Sequence, residues 1–322
     1  MFAIAVENES LVWQETEAPQ GIASDEVRIE VAWAGVNRAD LMQRAGQYPP
    51  PEGASQILGL EVSGTIREVG RHVERFKVGD PVCALLSGGG YAEEVVVNAL
   101  QVLPVPEGYS LRDAAALPEM FATAWLNLFI EGNLKHKERV LLHAGASGIG
   151  TTAIQLCGLF GHPCFVTVGS QEKLETCLRL GADAGWNRHD GSFVEAVNDW
   201  GGADMILDPV GGGYLADNQQ VLKQDGRMVL IGLMGGRMDE LDLGRMLMKR
   251  QRLIGSTLRS RSPDGKGMVL DALYVHVWPR LARGELRPHI DKSWPIQEAD
   301  AAHAYVQDNA STGKVLLAVT GA

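Results

Sequence analysis

Several things are scarce in this sequence, and each scarcity closes off a class of protein. Across 322 residues there are 29 lysines and arginines against 40 aspartates and glutamates, a formal net charge of −11, with no run of five or six like charges. No basic stripe is therefore available to neutralise a phosphate backbone, and no polybasic anchor for an anionic membrane, so no nucleic-acid partner is expected. The chain also lacks any uncharged apolar stretch of about 18 residues, the length a membrane-spanning helix needs. Cysteine is sparse: four, at 83, 157, 164 and 177, form no C-x-x-C pair, and three fall in apolar segments. That pattern argues against a disulfide framework and for reduced, buried thiols, hence a cytoplasmic protein. The opening MFAIAVENESLVWQE has no basic region leading into an apolar core, so no secretory signal is expected. Internal repeats and low-complexity tracts are missing as well.

What the chain has in plenty is glycine, 38 residues, and two distinct rhythms. Its length exceeds what one hydrophobic core usually fills, which predicts two domains. The first third reads as short strands punctuated by glycine and proline: EVRIEVAWAGV (26–36), GLEVSGTIREVG (59–70), GDPVCALL (79–86) and YAEEVVVN (91–98). LRDAAALPEMFATAWLNLF (111–129) then takes helical spacing with a break at Pro118. From Glu138 onward apolar runs alternate with helical stretches. The strand candidates are RVLLH (139–143), CFVTV (164–168), DAGWN (183–187), DMILD (204–208), RMVLIG (227–232) and LIGSTL (253–258). Such alternation predicts an α/β domain with a doubly wound parallel sheet. Beyond about residue 262 a helical segment and a last strand, GKVLLAVTG, are expected to return to the first domain.

The most informative stretch is VLLHAGASGIGTTAIQL, residues 140–156. Read as G-x-G-x-x-G it gives Gly145, Ser147 and Gly150, with serine in the middle position, Gly148 as an extra glycine, and Ala146 and Ile149 between them. A first glycine permits the tight turn, and a last one lets the helix approach the strand. The helix N-terminus then offers unpaired N–H groups to a pyrophosphate. The turn follows a strand, opens a helix and begins an alternating unit, which predicts a dinucleotide site. At the end of the second strand an NAD site would carry a carboxylate for the ribose hydroxyls. Here the text is TVGSQEK, with Ser170 where the acid belongs and Lys173 one turn on. A hydroxyl and a cation suit a 2′-phosphate, and Glu172 beside them can point away on the helix, so NADPH is the expected coenzyme. His143 reads as a packed core residue, and Gly88-Gly89-Gly90 as a hairpin turn or bulge. A hydrolase elbow is excluded because no glycine stands at 149.

Together GVNRADLMQRAGQYPPP, GLEVSG, HAGASGIGTTAIQL, VGSQEKL and GLMGG resemble the zinc-free quinone oxidoreductases of the medium-chain dehydrogenase/reductase superfamily, over about residues 25–317. The resemblance implies a GroES-like β-rich catalytic domain plus a Rossmann domain, with NADPH in the cleft between them. The boundaries expected are 1–121 for the N-terminal part of the catalytic domain, 122–261 for the Rossmann domain and 262–322 for the return. No metal is expected, because Asn37 and Leu60 stand where the zinc branch has cysteine and histidine. By position, the resemblance places Asn37 and Tyr48 at the catalytic site and Thr123 beside the nicotinamide. Gly232, Leu233, Met234 and Leu258 line the ring. Arg188 stands where the family often has tyrosine near the adenosine. A neutral phenol at Tyr48 suits a hydrogen bond to a carbonyl oxygen gaining charge.

The function implied is transfer of reducing equivalents from NADPH to quinones by a homodimeric enzyme. Two alternatives stay open on sequence: reduction of α,β-unsaturated carbonyls with the same fold and coenzyme, and a coenzyme-binding protein of low turnover.

Overall fold

The computed structural model describes residues 1–320. Seven strands come first: β1 (Phe2–Glu7), β2 (Ser10–Glu15), β3 (Glu26–Val36), β4 (Glu61–Val69), β5 (Pro81–Leu85), β6 (Glu94–Asn98) and β7 (Val102–Pro104). Next are β8 (Val140–Leu142), β9 (Cys164–Val168), β10 (Ala184–Asn187), β11 (Ala203–Asp208), β12 (Leu222–Leu230) and β13 (Arg252–Gly255). The last two are β14 (Ile290–Pro295) and β15 (Lys314–Ala318). The chain divides into two compact units, one made of residues 1–122 and 258–322, the other of residues 123–257.

The first unit is built on a sheet ordered β14-β15-β3-β4-β5-β7, with β6 paired to β3. Alternation along β3 sends Val27, Ile29 and Val31 into the core while Arg28 and Glu30 reach outward, the period-two pattern of a half-buried antiparallel strand. β15 runs antiparallel to β3, placing Lys314 next to the end of that strand. The hairpin of β1 and β2 was not legible in the sequence. Its turn holds Asn8 and Glu9 at φ of 47° and 67°, a left-handed pair without the glycine that usually announces one.

The second unit is a six-stranded parallel sheet ordered β10-β9-β8-β11-β12-β13. β8 and β9 are buried at every position, as a sheet covered on both faces requires. Pro118 separates the helices Leu111–Ala114 and Pro118–Trp125 by standing first in the second, where its missing N–H costs nothing. β12 begins at Leu222, five residues ahead of the apolar run that marks it in sequence, and β13 ends at Gly255, three short of the expected 258. Among the described residues no helix is long and apolar enough to cross a membrane.

Candidate functional site

In the second unit the glycine turn connects β8 to the helix Gly148–Phe160. Ser147 caps that helix, its Oγ accepting the Gly150 N–H at 3.0 Å. This leaves the amides of Gly148 and Ile149, in the first turn, without an intrahelical acceptor. Gly145 is required by packing: a Cβ there would lie 2.6 Å from Val166 Cβ on β9. At Gly150 a Cβ would meet the Ala144 carbonyl oxygen at 2.5 Å, so the helix can sit this close to the turn only with glycine. Ala144 itself holds φ at 51°, and Ala146 is buried beside it. The donor set and the close approach fit a pyrophosphate at the positive end of the helix dipole.

β9 ends at Val168 and hands over to Gly169 and Ser170. Ser170 Oγ accepts the Lys173 N–H at 3.2 Å, capping the helix Gln171–Arg179. The guanidinium of Arg188, from the turn after β10, lies over Gly169: a Cβ at 169 would find Arg188 Nε at 3.5 Å and Nη2 at 3.6 Å. The strand end thus carries a cation where an NAD site carries an acid. Lys173 lies near the buried Cys177, whose thiol is pushed up mainly by burial and eased by the lysine's charge.

Gly232, Leu233 and Met234 follow β12 in a loop fastened to the segment after β11. Met234 N–H donates to the Pro209 carbonyl at 3.2 Å and Gly235 N–H to Val210 at 2.7 Å. Asp208 shapes that segment by accepting the Val210 and Gly211 amides at 2.7 and 3.1 Å. Its other oxygen accepts Asn218 Nδ2 at 3.1 Å, and Asn218 Oδ1 in turn faces His143 Nε2 at 2.7 Å. His143 is buried between Phe193 and Tyr214, burial lowers its pKa, and Thr167 Oγ1 meets its Nδ1 at 2.8 Å. A neutral imidazole that donates through Nε2 satisfies every partner, so His143 is a packing residue here. Thr123 is buried, and its carbonyl accepts Asn127 Nδ2 at 2.8 Å.

The first unit holds Asn37, Tyr48 and Leu258. Asn37 precedes the helix Arg38–Arg44 and is drawn into a buried polar cluster. Its Nδ2 donates to Glu61 Oε1 at 3.0 Å and its Oδ1 accepts Lys314 Nζ at 2.7 Å. Glu61 Oε2 accepts the Glu119 N–H at 2.9 Å. Asp40 accepts the amides of Asn37 and Gly59 at 2.8 and 3.0 Å, yet burial outweighs them and lifts its carboxyl to about 7. Tyr91 hydroxyl lies 3.4 Å from Asp40 and 3.1 Å from His303, whose imidazole burial pushes down to about 4.

Tyr48 lies in the irregular segment after that helix, half-buried. Burial raises its phenol and the charge of Arg259, 5.1 Å from the ring centroid, pulls it back. Among the described residues the hydroxyl takes no hydrogen-bond partner, so its proton is available. Gly88 and Gly89, at φ of 154° and 97°, make room for the same segment, since a Cβ on Gly88 would meet the Ser55 carbonyl at 2.5 Å. The glycine run is thus a close approach between loops and not a simple hairpin turn. Within TLRS (257–260), the stretch that the resemblance sets along the nicotinamide, Leu258 is given a role of its own and Arg259 is not. Glu61 and Lys314, which lie 253 positions apart in the chain, are likewise given none.

A GroES-like antiparallel unit and a six-stranded Rossmann unit with a glycine turn define a two-unit nicotinamide-dependent oxidoreductase fold. Residues 23–107 match the alcohol dehydrogenase GroES-like domain and residues 148–273 the zinc-binding dehydrogenase domain. The chain is 30% identical over 309 residues to quinone oxidoreductase-like protein 2 of Bos taurus, covering 95% of this chain and 88% of that one. The Escherichia coli quinone oxidoreductase complexed with NADPH superposes with a TM-score of 0.87 at 25% identity, over 99% of this chain and 100% of that one. The CurK enoyl reductase superposes with a TM-score of 0.85 at 28% identity, over 98% of each chain. The chain belongs to the medium-chain dehydrogenase/reductase superfamily, and it is an oxidoreductase of that superfamily.

The zinc in the name of one matching domain does not suit these residues. Glu61 Oε1 already faces the Lys314 ammonium at 2.5 Å, and Asn37 and Leu60 supply neither thiolate nor imidazole. Among the described residues no group of three or more His, Cys, Asp or Glu is placed to hold a metal.

Proposed function

We propose that this chain is an NADPH-dependent reductase that passes reducing equivalents to quinones. The observation that carries the coenzyme choice is the Arg188 guanidinium lying over Gly169, with Ser170 in place of the acid at the strand end and Lys173 in the helix that follows. Arg188 and Lys173 would attract a 2′-phosphate, Ser170 stands where the acid of an NAD site would be, and the one nearby carboxylate, Glu172, is an exposed residue of the following helix. The amides of Gly148 and Ile149 would hold the pyrophosphate, with Gly145, Ala146, Ser147 and Gly150 shaping the turn. Thr123, Gly232, Leu233, Met234 and Leu258 would line the nicotinamide. Bound NADPH supplies the reducing equivalents.

Tyr48 has a neutral phenol with a free proton, and it would hydrogen-bond the acceptor's carbonyl oxygen as charge builds there. Asn37, with its amide engaged by Glu61 and Lys314, would position the cluster beneath the site and leave the donor role to Tyr48. Quinones need no stronger acid, because the reduced oxygen can take its proton from water. Reduction of α,β-unsaturated carbonyls is the second reading, favoured by the likeness to an enoyl reductase. We further propose a homodimer formed along β13, the edge of the parallel sheet.

The test is NADPH oxidation with simple quinones and with 2-alkenals, in wild type and Tyr48→Phe. Quinone turnover that falls by up to about 10²-fold in the variant is expected. Fast alkenal turnover with inert quinones would transfer the assignment to the second reading.

A further inference from the structure

Arg259 is a buried guanidinium, 5% exposed, with no carboxylate in contact among the described residues. Burying a charge this way is costly unless its donors are all used, and here each nitrogen is spent on a different piece of backbone or side chain. Nη2 donates to Gln43 Oε1 at 2.5 Å, at the end of the helix Arg38–Arg44. Nη1 donates to the carbonyl of Tyr48 itself at 3.2 Å. Nε donates to the Ser87 carbonyl at 2.9 Å, and the Arg259 carbonyl accepts Ser87 Oγ at 3.1 Å. Lys266 Nζ holds Ser87 Oγ from the other side at 2.6 Å. Arg259 Cζ lies over the Tyr48 ring, 5.1 Å from its centroid.

The segment from Ala45 to Ser55 has no helix or strand to fix it. Its tyrosine has its N–H held by the Met42 carbonyl at 3.2 Å, while one side chain, Arg259, engages both its carbonyl and its ring. Packing alone would be served by an apolar residue of similar size. A fork of three donors aimed at three segments is what holds a loop residue in a single orientation.

We propose that Arg259 is the positioning residue for Tyr48, fixing the phenol against the acceptor. This rests on the reading that Tyr48 meets the acceptor, and it commits to more: the arginine acts through the tyrosine's hydroxyl. Arg259→Met therefore costs activity only where that hydroxyl is present.

The experiment is a double-mutant cycle of Arg259→Met with Tyr48→Phe, scored by kcat and by KM for NADPH with a simple quinone, with Arg259→Lys and added guanidinium as rescue arms. Arg259→Met is expected to lower kcat about as far as Tyr48→Phe does and to leave KM for NADPH within about twofold, and to add nothing in the Tyr48→Phe background. Arg259→Lys keeps the charge and loses the fork, so it recovers part of the rate, and free guanidinium restores part of the Arg259→Met rate. Equal losses in both backgrounds, or no loss from Arg259→Met where Tyr48→Phe is impaired, would overturn the assignment. An ultraviolet titration, taken as the difference between wild type and Tyr48→Phe, is read in parallel and needs no turnover. The Tyr48 phenol is expected to titrate at higher pH in Arg259→Met than in the native protein, and an unmoved titration contradicts the proposal. If Tyr48→Phe keeps full activity while the phenol still shifts, the catalytic reading of Tyr48 fails and the coupling of the two residues survives.

Discussion

Lys314 Nζ and Glu61 Oε1 meet 2.5 Å apart with side chains 3% and 0% exposed, tying the last strand of the chain to the fourth. Asn37 donates to the same oxygen and the Glu119 amide to the other, so the buried carboxylate is held by three donors, of which Lys314 alone is charged. Removing one partner of a buried pair leaves the other charge stranded, at a cost of about 3–5 kcal/mol. Lys314→Met is expected to lower unfolding free energy by that order, measured in urea. The double variant with Glu61→Gln should recover a substantial part, because no bare charge then remains. If Lys314→Met unfolds like the native protein, the pair does not hold the strands together.

Gly169 offers a direct test of coenzyme choice. The three atoms nearest to a Cβ there belong to the Arg188 guanidinium and lie at ordinary contact distance, so Gly169→Asp should fold without strain. Its carboxylate would pair with Arg188 and repel a 2′-phosphate. The ratio of kcat/KM for NADPH over NADH is expected to fall by at least about tenfold, a loss of roughly 1.4 kcal/mol of discrimination. Lys173→Ala should raise KM for NADPH far more than for NADH. An unchanged ratio in both variants would remove the 2′-phosphate from this strand end.

Two buried groups in the first unit pull the pH dependence of stability in opposite directions. Asp40, lifted to about 7, is protonated in the fold at pH values where the unfolded chain is ionised, so its contribution is lost as pH rises from about 4 to about 7. His303, depressed to about 4, stays neutral in the fold while the unfolded chain takes a proton, so its contribution is lost as pH falls from about 6.5 to about 4. The two slopes oppose each other across nearly the same window. Asp40→Asn should therefore expose the histidine's slope: stability, followed by urea unfolding across that range, should rise with pH more steeply than in the native protein. A flat or inverted profile in Asp40→Asn would contradict these protonation states.

The edge strand β13 is preceded by the short helix Leu243–Lys249, which leaves Leu243, Leu247 and Met248 largely exposed. Apolar side chains beside an open strand edge are costly to leave in water and invite a second copy. Leu247→Lys is expected to shift the sedimentation mass from dimer toward monomer while leaving the far-ultraviolet circular dichroism unchanged. A native protein that sediments as a monomer would contradict the homodimer.

Fold class and the glycine turn were legible because each rests on local chemistry. The alternation from Glu138 onward fixes a parallel sheet, and Gly145 and Gly150 are glycine for reasons of contact that a motif already encodes. Position within a sheet was harder to read. Nothing in GKVLLAVTG specifies that β15 pairs with β3, or that its lysine finds Glu61, since both depend on contacts far apart in sequence. Arg259 was missed for the same reason, because its partners come from residues 43, 48 and 87. Asn37 could be placed by resemblance, but its engagement with two buried charges emerges only once the strands assemble. Arg188 could be read in the sequence only as a replacement for tyrosine, and its place over Gly169 emerges once β9 and β10 are paired.

This chain is proposed to hold a nicotinamide coenzyme by its phosphates and to select the one with a 2′-phosphate. Isothermal calorimetry with NADPH and NADH on the same preparation tests it most directly. NADPH is predicted to bind at least about tenfold more tightly, a difference of roughly 1.4 kcal/mol, with the gap closing in Gly169→Asp. Equal affinity for the two coenzymes, or no heat with either, would contradict the account.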